Sequence, residues 1–258
     1  MLLWMALLRK LPEQIWHFAT FNRDGLTGAE CAGRNLLVVG VGHVGGEVVK
    51  IGSGLGMNVR RVDIIPERAD TSIETGLPWA DVVVCAMNLT PRNRGYFNEA
   101  RLRLMKRGAI FVNVARGEMS PTADLARLLD DGHLGGVGLD VYDHERELAV
   151  ALRAGRAGWS SPPQTHGQDD GALGQRALPT AGDGVGAVGH RALPETPPAH
   201  PALKLIGRAN VILTPHNAFN THEAVERKSA QTVESVVRFL KHGRFPWAVM
   251  KDGEQHDL

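Results

Sequence analysis

The chain has very little cysteine, almost no net charge and no long apolar run, and each shortage removes a class of protein. Of its 258 residues only Cys31 and Cys85 are cysteines. Cys85 lies inside an apolar run, which argues against a disulfide framework and fits a reducing compartment. A formal charge of +1 gives neither nucleic acid nor an acidic membrane surface a reason to bind. The apolar start, Met1–Leu8, is too short to span a bilayer, and Arg9 and Lys10 follow it, the reverse of a secretory signal. The expectation is a soluble, cytoplasmic protein of one large domain or two modest ones, with a substantial core.

What the chain does contain is a regular alternation of short β-rich runs and helical stretches. Strands are expected at Leu36–Val39, Val59–Asp63, Asp81–Ala86, Ala109–Val114, Gly136–Val141 and Val211–Leu213, with amphipathic segments such as Glu99–Met105 and Ala123–Leu129 between them. Such alternation predicts an α/β fold with a doubly wound parallel sheet covered on both faces. Before it, Leu3, Leu7, Leu8, Leu11, Ile15 and Phe18 recur at helical spacing, with a break or kink expected at Pro12. After it, Thr221–Lys241 carries Val225, Val233, Val236, Val237 and Leu240 at helical spacing, with Asn220 and Thr221 as candidate caps.

One stretch breaks the pattern. Residues from about Gly155 to Pro201 are about a third glycine plus proline, with Trp159 as their sole aromatic, a composition poor at building a core. A disordered insertion and a local sequence artefact both account for it.

The glycine-rich turn Gly40-Val41-Gly42-His43-Val44-Gly45 stands between a predicted strand and the helical Val48, Val49 and Ile51. Gly42 lets a backbone approach a pyrophosphate, and the helix start offers free N–H groups and a positive dipole end. A glycine pattern alone is equally an ordinary turn, but Asp63 ends the next strand at the distance where a ribose-binding carboxylate stands. A carboxylate there favours NAD over NADP, although Arg60 and Arg61 precede it and Arg68 follows, and a solvated strand-end acid is the plain alternative. His43 either touches phosphate or is a bystander.

Further on come Leu89-Thr90-Pro91, Asn113-Val114-Ala115-Arg116-Gly117, Gly138-Leu139-Asp140-Val141-Tyr142-Asp143-His144-Glu145 and Thr214-Pro215-His216. In order and in residue type they resemble the NAD-dependent D-isomer-specific 2-hydroxyacid dehydrogenases. The Gly40–Gly45 turn with His43, and Phe219 after His216, look most like the D-lactate dehydrogenase branch. The resemblance implies a Rossmann-type NAD-binding domain. It also implies hydride transfer between NAD(H) and a small 2-hydroxy or 2-keto acid, D-lactate/pyruvate-like.

Carried over motif by motif, Arg116 would bind the substrate carboxylate, for which a planar, permanently charged fork is suited. His216 would pass the proton to and from the carbonyl oxygen, since histidine as a residue type titrates near working pH. Glu145 would hydrogen-bond and orient the imidazole. Arg146 follows where the family commonly has proline, Glu147 is a rival, and a solvated Asp143–Glu147 loop is the alternative. Ala115, Asp140, Arg116 and His216 join Gly40, Gly42, His43, Val44, Gly45 and Asp63 as the implied cofactor site.

The family begins with a flavodoxin-like substrate domain of about a hundred residues, most of which the resemblance implies is absent here. Residues 1–25 then read as an interdomain and dimerisation helix region, 26–216 as the dinucleotide-binding domain with its insertion near 155–201, and 217–258 as the segment returning to the substrate domain. A homodimer is expected, with weak or absent turnover because one wall of the cleft is missing. A non-catalytic NAD-binding dimerisation module and an inactive fragment are the competing readings.

Overall fold

The computed structural model describes residues 1–155 and 200–245. Most of the expected insertion, from 156 to 199, lies outside the described residues, as does the chain beyond 245. The last of the insertion does not: Pro201–Leu205 forms a 3-10 turn in which Ala202 and Leu205 are buried, so it belongs to the packed fold.

Six strands build one parallel sheet: β1 (Asn35–Val39), β2 (Asn58–Val62), β3 (Val82–Cys85), β4 (Ala109–Asn113), β5 (Leu134–Leu139) and β6 (Val211–Leu213), in the spatial order β2-β1-β3-β4-β5-β6. The chain steps outward from β1 to β2, then returns past β1 to β3. The strand order therefore reverses between β1 and β3, where the carboxyl ends of an open sheet form a ligand crevice.

Alternating residues of the central strands explain both layers. Leu36, Val38, Val82, Val84, Ile110 and Val112 face a cluster with Trp4, Leu7 and Val48. Leu37, Val39, Val83, Cys85, Phe111 and Leu139 face the other, with Leu77, Met119, Leu125 and Leu128. Strands buried on both faces read as continuous apolar runs, which is why the sequence marks them clearly.

The described residues also form eight helices. At the N-terminus, α1 (Leu2–Leu8) and α2 (Leu11–His17) are separate, and the break falls at Arg9–Lys10 and not at Pro12. Lys10 takes the left-handed conformation at φ 51°, and Pro12 sits in the first turn of α2, where its missing N–H has no acceptor to lose. Helix α1 lies across β4, β5 and β6, with Trp4 almost fully buried.

Helices α3 (His43–Gly54), α4 (Ile73–Trp79), α5 (Glu99–Leu102) and α6 (Thr122–Asp130) connect the strands. The expected Glu99–Met105 helix stops early because Leu104 and Met105 bond back three residues, to Arg101 and Leu102, and tighten the last turn. Helix α7 (Glu145–Gly155) occupies what the charges of Asp143–Glu147 suggested as a solvated loop. Leu148 and Ala151 are buried beneath it.

The last helix, α8 (His222–His242), starts on Thr221, whose hydroxyl accepts the Ala224 N–H at 3.1 Å, and ends at the left-handed Gly243. None of its residues is buried.

Candidate active site

The cofactor cradle is built where β1 ends. Gly40 has φ +90°, a conformation L side chains rarely adopt, and a Cβ there would lie 2.7 Å from the backbone of Met87. Both constraints bring the ends of β1 and β3 close together. Gly45 is buried against the Gly40 carbonyl oxygen, so the first turn of α3 presses onto the loop. Gly42 is exposed with open space above it. Beside it His43 and Val44 open α3, exposed. A helix's first turn leaves its N–H groups without intrahelical acceptors, so this surface suits a pyrophosphate.

Asp63, just past β2, folds back over the cradle. Its Oδ2 accepts the Val41 N–H at 2.5 Å and its Oδ1 accepts the Ile65 N–H at 2.9 Å. Lone pairs remain on both oxygens for ribose hydroxyls. The two arginines before it are occupied elsewhere. Arg60 stacks over Trp79 at 4.4 Å, and Arg61 pairs with Asp70 at 2.9 Å. Arg68, the third arginine near Asp63, is exposed and in no ion pair among the described residues.

The second half of the site follows from sheet register. Asn113 of β4 pairs with Leu139 of β5, and Leu139 pairs with Leu213 of β6. Arg116, Tyr142 and His216 each stand three residues beyond this row, on neighbouring loops at the carboxyl edge.

Buried Asn113 shapes the arginine's turn: its Nδ2 donates to the Arg116 carbonyl at 2.9 Å and its Oδ1 accepts the Ala115 N–H at 2.9 Å. Ala115 is buried beneath the turn, and the exposed Arg116 forms no ion pair among the described residues.

His216 sits in the left-handed region at φ 53°. Its Nδ1 lies 3.1 Å from Glu145 Oε2, while Glu147 pairs with His144 at 2.9 Å. Of the two rival carboxylates, Glu145 is the one that reaches the imidazole. Its other oxygen, Oε1, accepts the Tyr142 N–H at 3.2 Å.

Asp140, almost fully buried, accepts from the Thr214 hydroxyl at 2.6 Å and from the N–H groups of Asn217 and Ala218 at 2.9 and 3.0 Å. It therefore holds the loop that carries His216. Asn113 and Tyr142 were visible in their motifs but given no role there, because their partners depend on strand register. Cys85 lies under this edge, and burial, partly offset by a hydrogen bond from the Met87 backbone, pushes its thiol up to about 12, so it stays protonated. Behind His216 and Glu145 a cavity of about 530 Å³ is lined by Leu148, Leu152, Leu205 and Leu213.

The sequence profile of the "D-isomer specific 2-hydroxyacid dehydrogenase, NAD binding domain" family matches residues 1–218. The chain belongs to this family. As a D-isomer-specific 2-hydroxyacid dehydrogenase NAD-binding domain, it takes NAD as its cofactor.

Among curated relatives in the family, it is 28% identical to the glycerate dehydrogenase of Methylorubrum extorquens over 211 residues, 82% of this chain and 51% of that protein. It is 32% identical to the D-lactate dehydrogenase of Escherichia coli over 139 residues, 50% of this chain and 42% of that one. The chain thus spans about half the length of the curated relatives it matches. Among solved structures, D-2-hydroxyisocaproate dehydrogenase superposes with a TM-score of 0.73 at 25% identity, covering 95% of this chain and 65% of that one. The Aquifex aeolicus D-lactate dehydrogenase complexed with NAD and lactic acid gives 0.71 at 25% identity, covering 96% and 68%.

Proposed function

We propose that this chain is the cofactor half of an NAD-dependent D-2-hydroxyacid dehydrogenase acting on a small 2-keto or 2-hydroxy acid. The observation that carries the reading is the Glu145–His216 contact at 3.1 Å, on the loop next to the one that ends in the unpaired Arg116.

Bound NAD(H) supplies or accepts the hydride. Arg116 holds the substrate carboxylate through its guanidinium fork and draws charge from the keto group. His216 gives a proton from Nε2 to the carbonyl oxygen during reduction and takes it back during oxidation. Glu145 accepts the Nδ1–H, fixing the ring and the tautomer. The N–H groups around Gly42, His43 and Val44 would hold the pyrophosphate, Asp63 the ribose, and Ala115 and Asp140 would form the rim beside the nicotinamide. Ile64, 98% exposed beside Asp63, offers an apolar face to the adenine.

The domain division follows the same reading: 1–25 as linker and dimer region, 26–216 as the cofactor domain, 217–258 as the segment returning to a substrate domain. Exposed apolar residues support both the second wall and a homodimer: Ile15, Trp16 and Phe18 in and after α2, and Val236, Phe239 and Leu240 on α8. They equally favour a second reading, an NAD-binding dimerisation module without turnover of its own. No described helix is long and apolar enough to cross a membrane, and a cytoplasmic location fits the unpaired Cys31 and Cys85.

The deciding experiment is NADH oxidation by the purified chain with a panel of small 2-keto acids, beside a fluorescence titration of NADH binding. Keto-acid-dependent oxidation that disappears in Arg116→Ala is the expected result. Tight NADH binding without oxidation by any acid would leave the binding-module reading in its place.

A further inference from the structure

Tyr142 touches all three functional loops, and nothing in its motif assigns it a task. Its hydroxyl donates to the Thr214 carbonyl at 2.8 Å, with the Leu139 carbonyl further off at 3.3 Å. That same Thr214 oxygen accepts the His216 N–H at 3.0 Å, so the phenol stands one shared atom away from the histidine's backbone. The Tyr142 N–H donates to Glu145 Oε1 at 3.2 Å, leaving Oε2 for the imidazole. On the third side the Arg116–Gly117 turn rests on the Tyr142 carbonyl so closely that a Cβ on Gly117 would overlap it.

We infer that Tyr142 is a positioning residue that sets the Arg116 turn, the Glu145 carboxylate and the His216 loop in one fixed relation. Its place in the sheet makes it fit for that. It stands three residues beyond Leu139, between the equivalent positions Arg116 and His216 on the flanking loops. The residue is 9% exposed, so most of its ring is packed and only limited surface is left to water. Burial, with the charges of Asp140 and Glu145 adding to it, raises the phenol's pKa and keeps it a donor.

The bond also fixes one end of the turn that carries His216. His216 is held at φ 53°, a region L residues other than asparagine, aspartate and histidine seldom occupy. Asp140 grips the far side of the same loop at Asn217 and Ala218. The hydroxyl of Tyr142 grips the near side at Thr214. Between the two anchors the backbone of His216 is held, and its imidazole meets Glu145 at 3.1 Å.

The inference rests on the dehydrogenase reading for its purpose, but its test needs no turnover, so the two fail separately. In the full chain, Tyr142→Phe keeps the ring and removes only the hydroxyl, and Tyr142→Leu also removes the ring's packing. Hydrogen exchange of the Asn217 and Ala218 amides and the ring-nitrogen resonances of His216 report the loop directly. For Tyr142→Phe the expected result is about tenfold faster exchange at those amides, the scale of one ordinary hydrogen bond. The His216 Nδ1 resonance loses its hydrogen-bonded position, while NADH affinity stays unchanged.

Wild-type exchange and imidazole resonances in Tyr142→Phe, with losses confined to Tyr142→Leu, would reduce the residue to packing and overturn the inference. If Tyr142→Phe does not fold, the hydroxyl proton of Tyr142 in the unaltered chain decides. A resonance protected at neutral pH supports the clamp, and its absence overturns it.

Discussion

Asp63 shows how much of this site is prepared before any ligand arrives. Its carboxylate already accepts two backbone N–H groups, from Val41 in the glycine loop and from Ile65 beyond β2, so the residue proposed to take the ribose also fixes the loop beside it. Asp63→Asn is expected to weaken NADH by about tenfold, or 1.4 kcal/mol, and to narrow the preference over NADPH. Parallel fluorescence titrations of the two cofactors measure both effects. Gly117 is a second single-residue constraint. Gly117→Ala forces the Arg116 turn off the Tyr142 backbone, and an overpacked site of this kind costs about 1–3 kcal/mol. The thermal midpoint is then expected to drop by several degrees, read by calorimetry. Asp81 gives a pH-dependent case. Burial alone would raise its carboxyl, but the Lys106 ammonium at 2.8 Å and the Asn35 N–H outweigh that and hold it below the usual carboxylate range. A lowered folded-state pKa gives stability that is present above the unfolded value and lost as pH falls through the folded one. Asp81→Asn should therefore melt lower than the parent at neutral pH, with the gap closing in acid, as thermal melts across pH would show. The motif residues were legible one by one from the sequence: Arg116, His216, Asp63 and the glycines all lie at the sheet's carboxyl edge. Their supports were not. The bonds of Tyr142 and Asp140 to Thr214 cross from β5 to β6, and a single sequence carries no record of which strand end meets which.

At the scale of elements, legibility followed burial. The inner strands β3 and β4 stood out because apolar residues on two buried faces leave almost no polar interruption, whereas the edge strand β2 carries Arg60 and Arg61 and α7 was hidden by its start. Glu145-Arg146-Glu147 reads as a solvated loop until Leu148 and Ala151 are seen to share the buried side. The N-terminal break was misplaced for a related reason, since proline marks a helix boundary without saying on which side of it the boundary lies. The two outer helices differ sharply in what they hold. Helix α1 is part of the core, and Trp4→Ala is expected to cost about 3–5 kcal/mol, measurable by denaturant unfolding. Helix α8 buries none of its residues in its own chain. Changing Val236 and Leu240 to glutamine should leave the melting temperature of the sheet in place and reduce self-association. Sedimentation velocity would detect the change, and unaltered association would place the contact elsewhere.

Taken as a whole molecule, the protein divides its labour along one edge of one sheet. The glycine loop opens at the crevice between β1 and β3, the place proposed for the dinucleotide, and the loops after β4, β5 and β6 carry Arg116, Glu145 and His216. The fold therefore depends on strands widely separated in the chain, and α1 makes that dependence extreme. Its buried face is completed only by β4, β5 and β6, and β6 is not reached until Val211–Leu213. During synthesis at about 5–20 residues per second, α1 waits roughly ten to forty seconds for its last neighbour. Until β4 and β5 have emerged, Trp4 and Leu7 lack the strands they pack on, so the nascent chain presents an apolar helix to its surroundings.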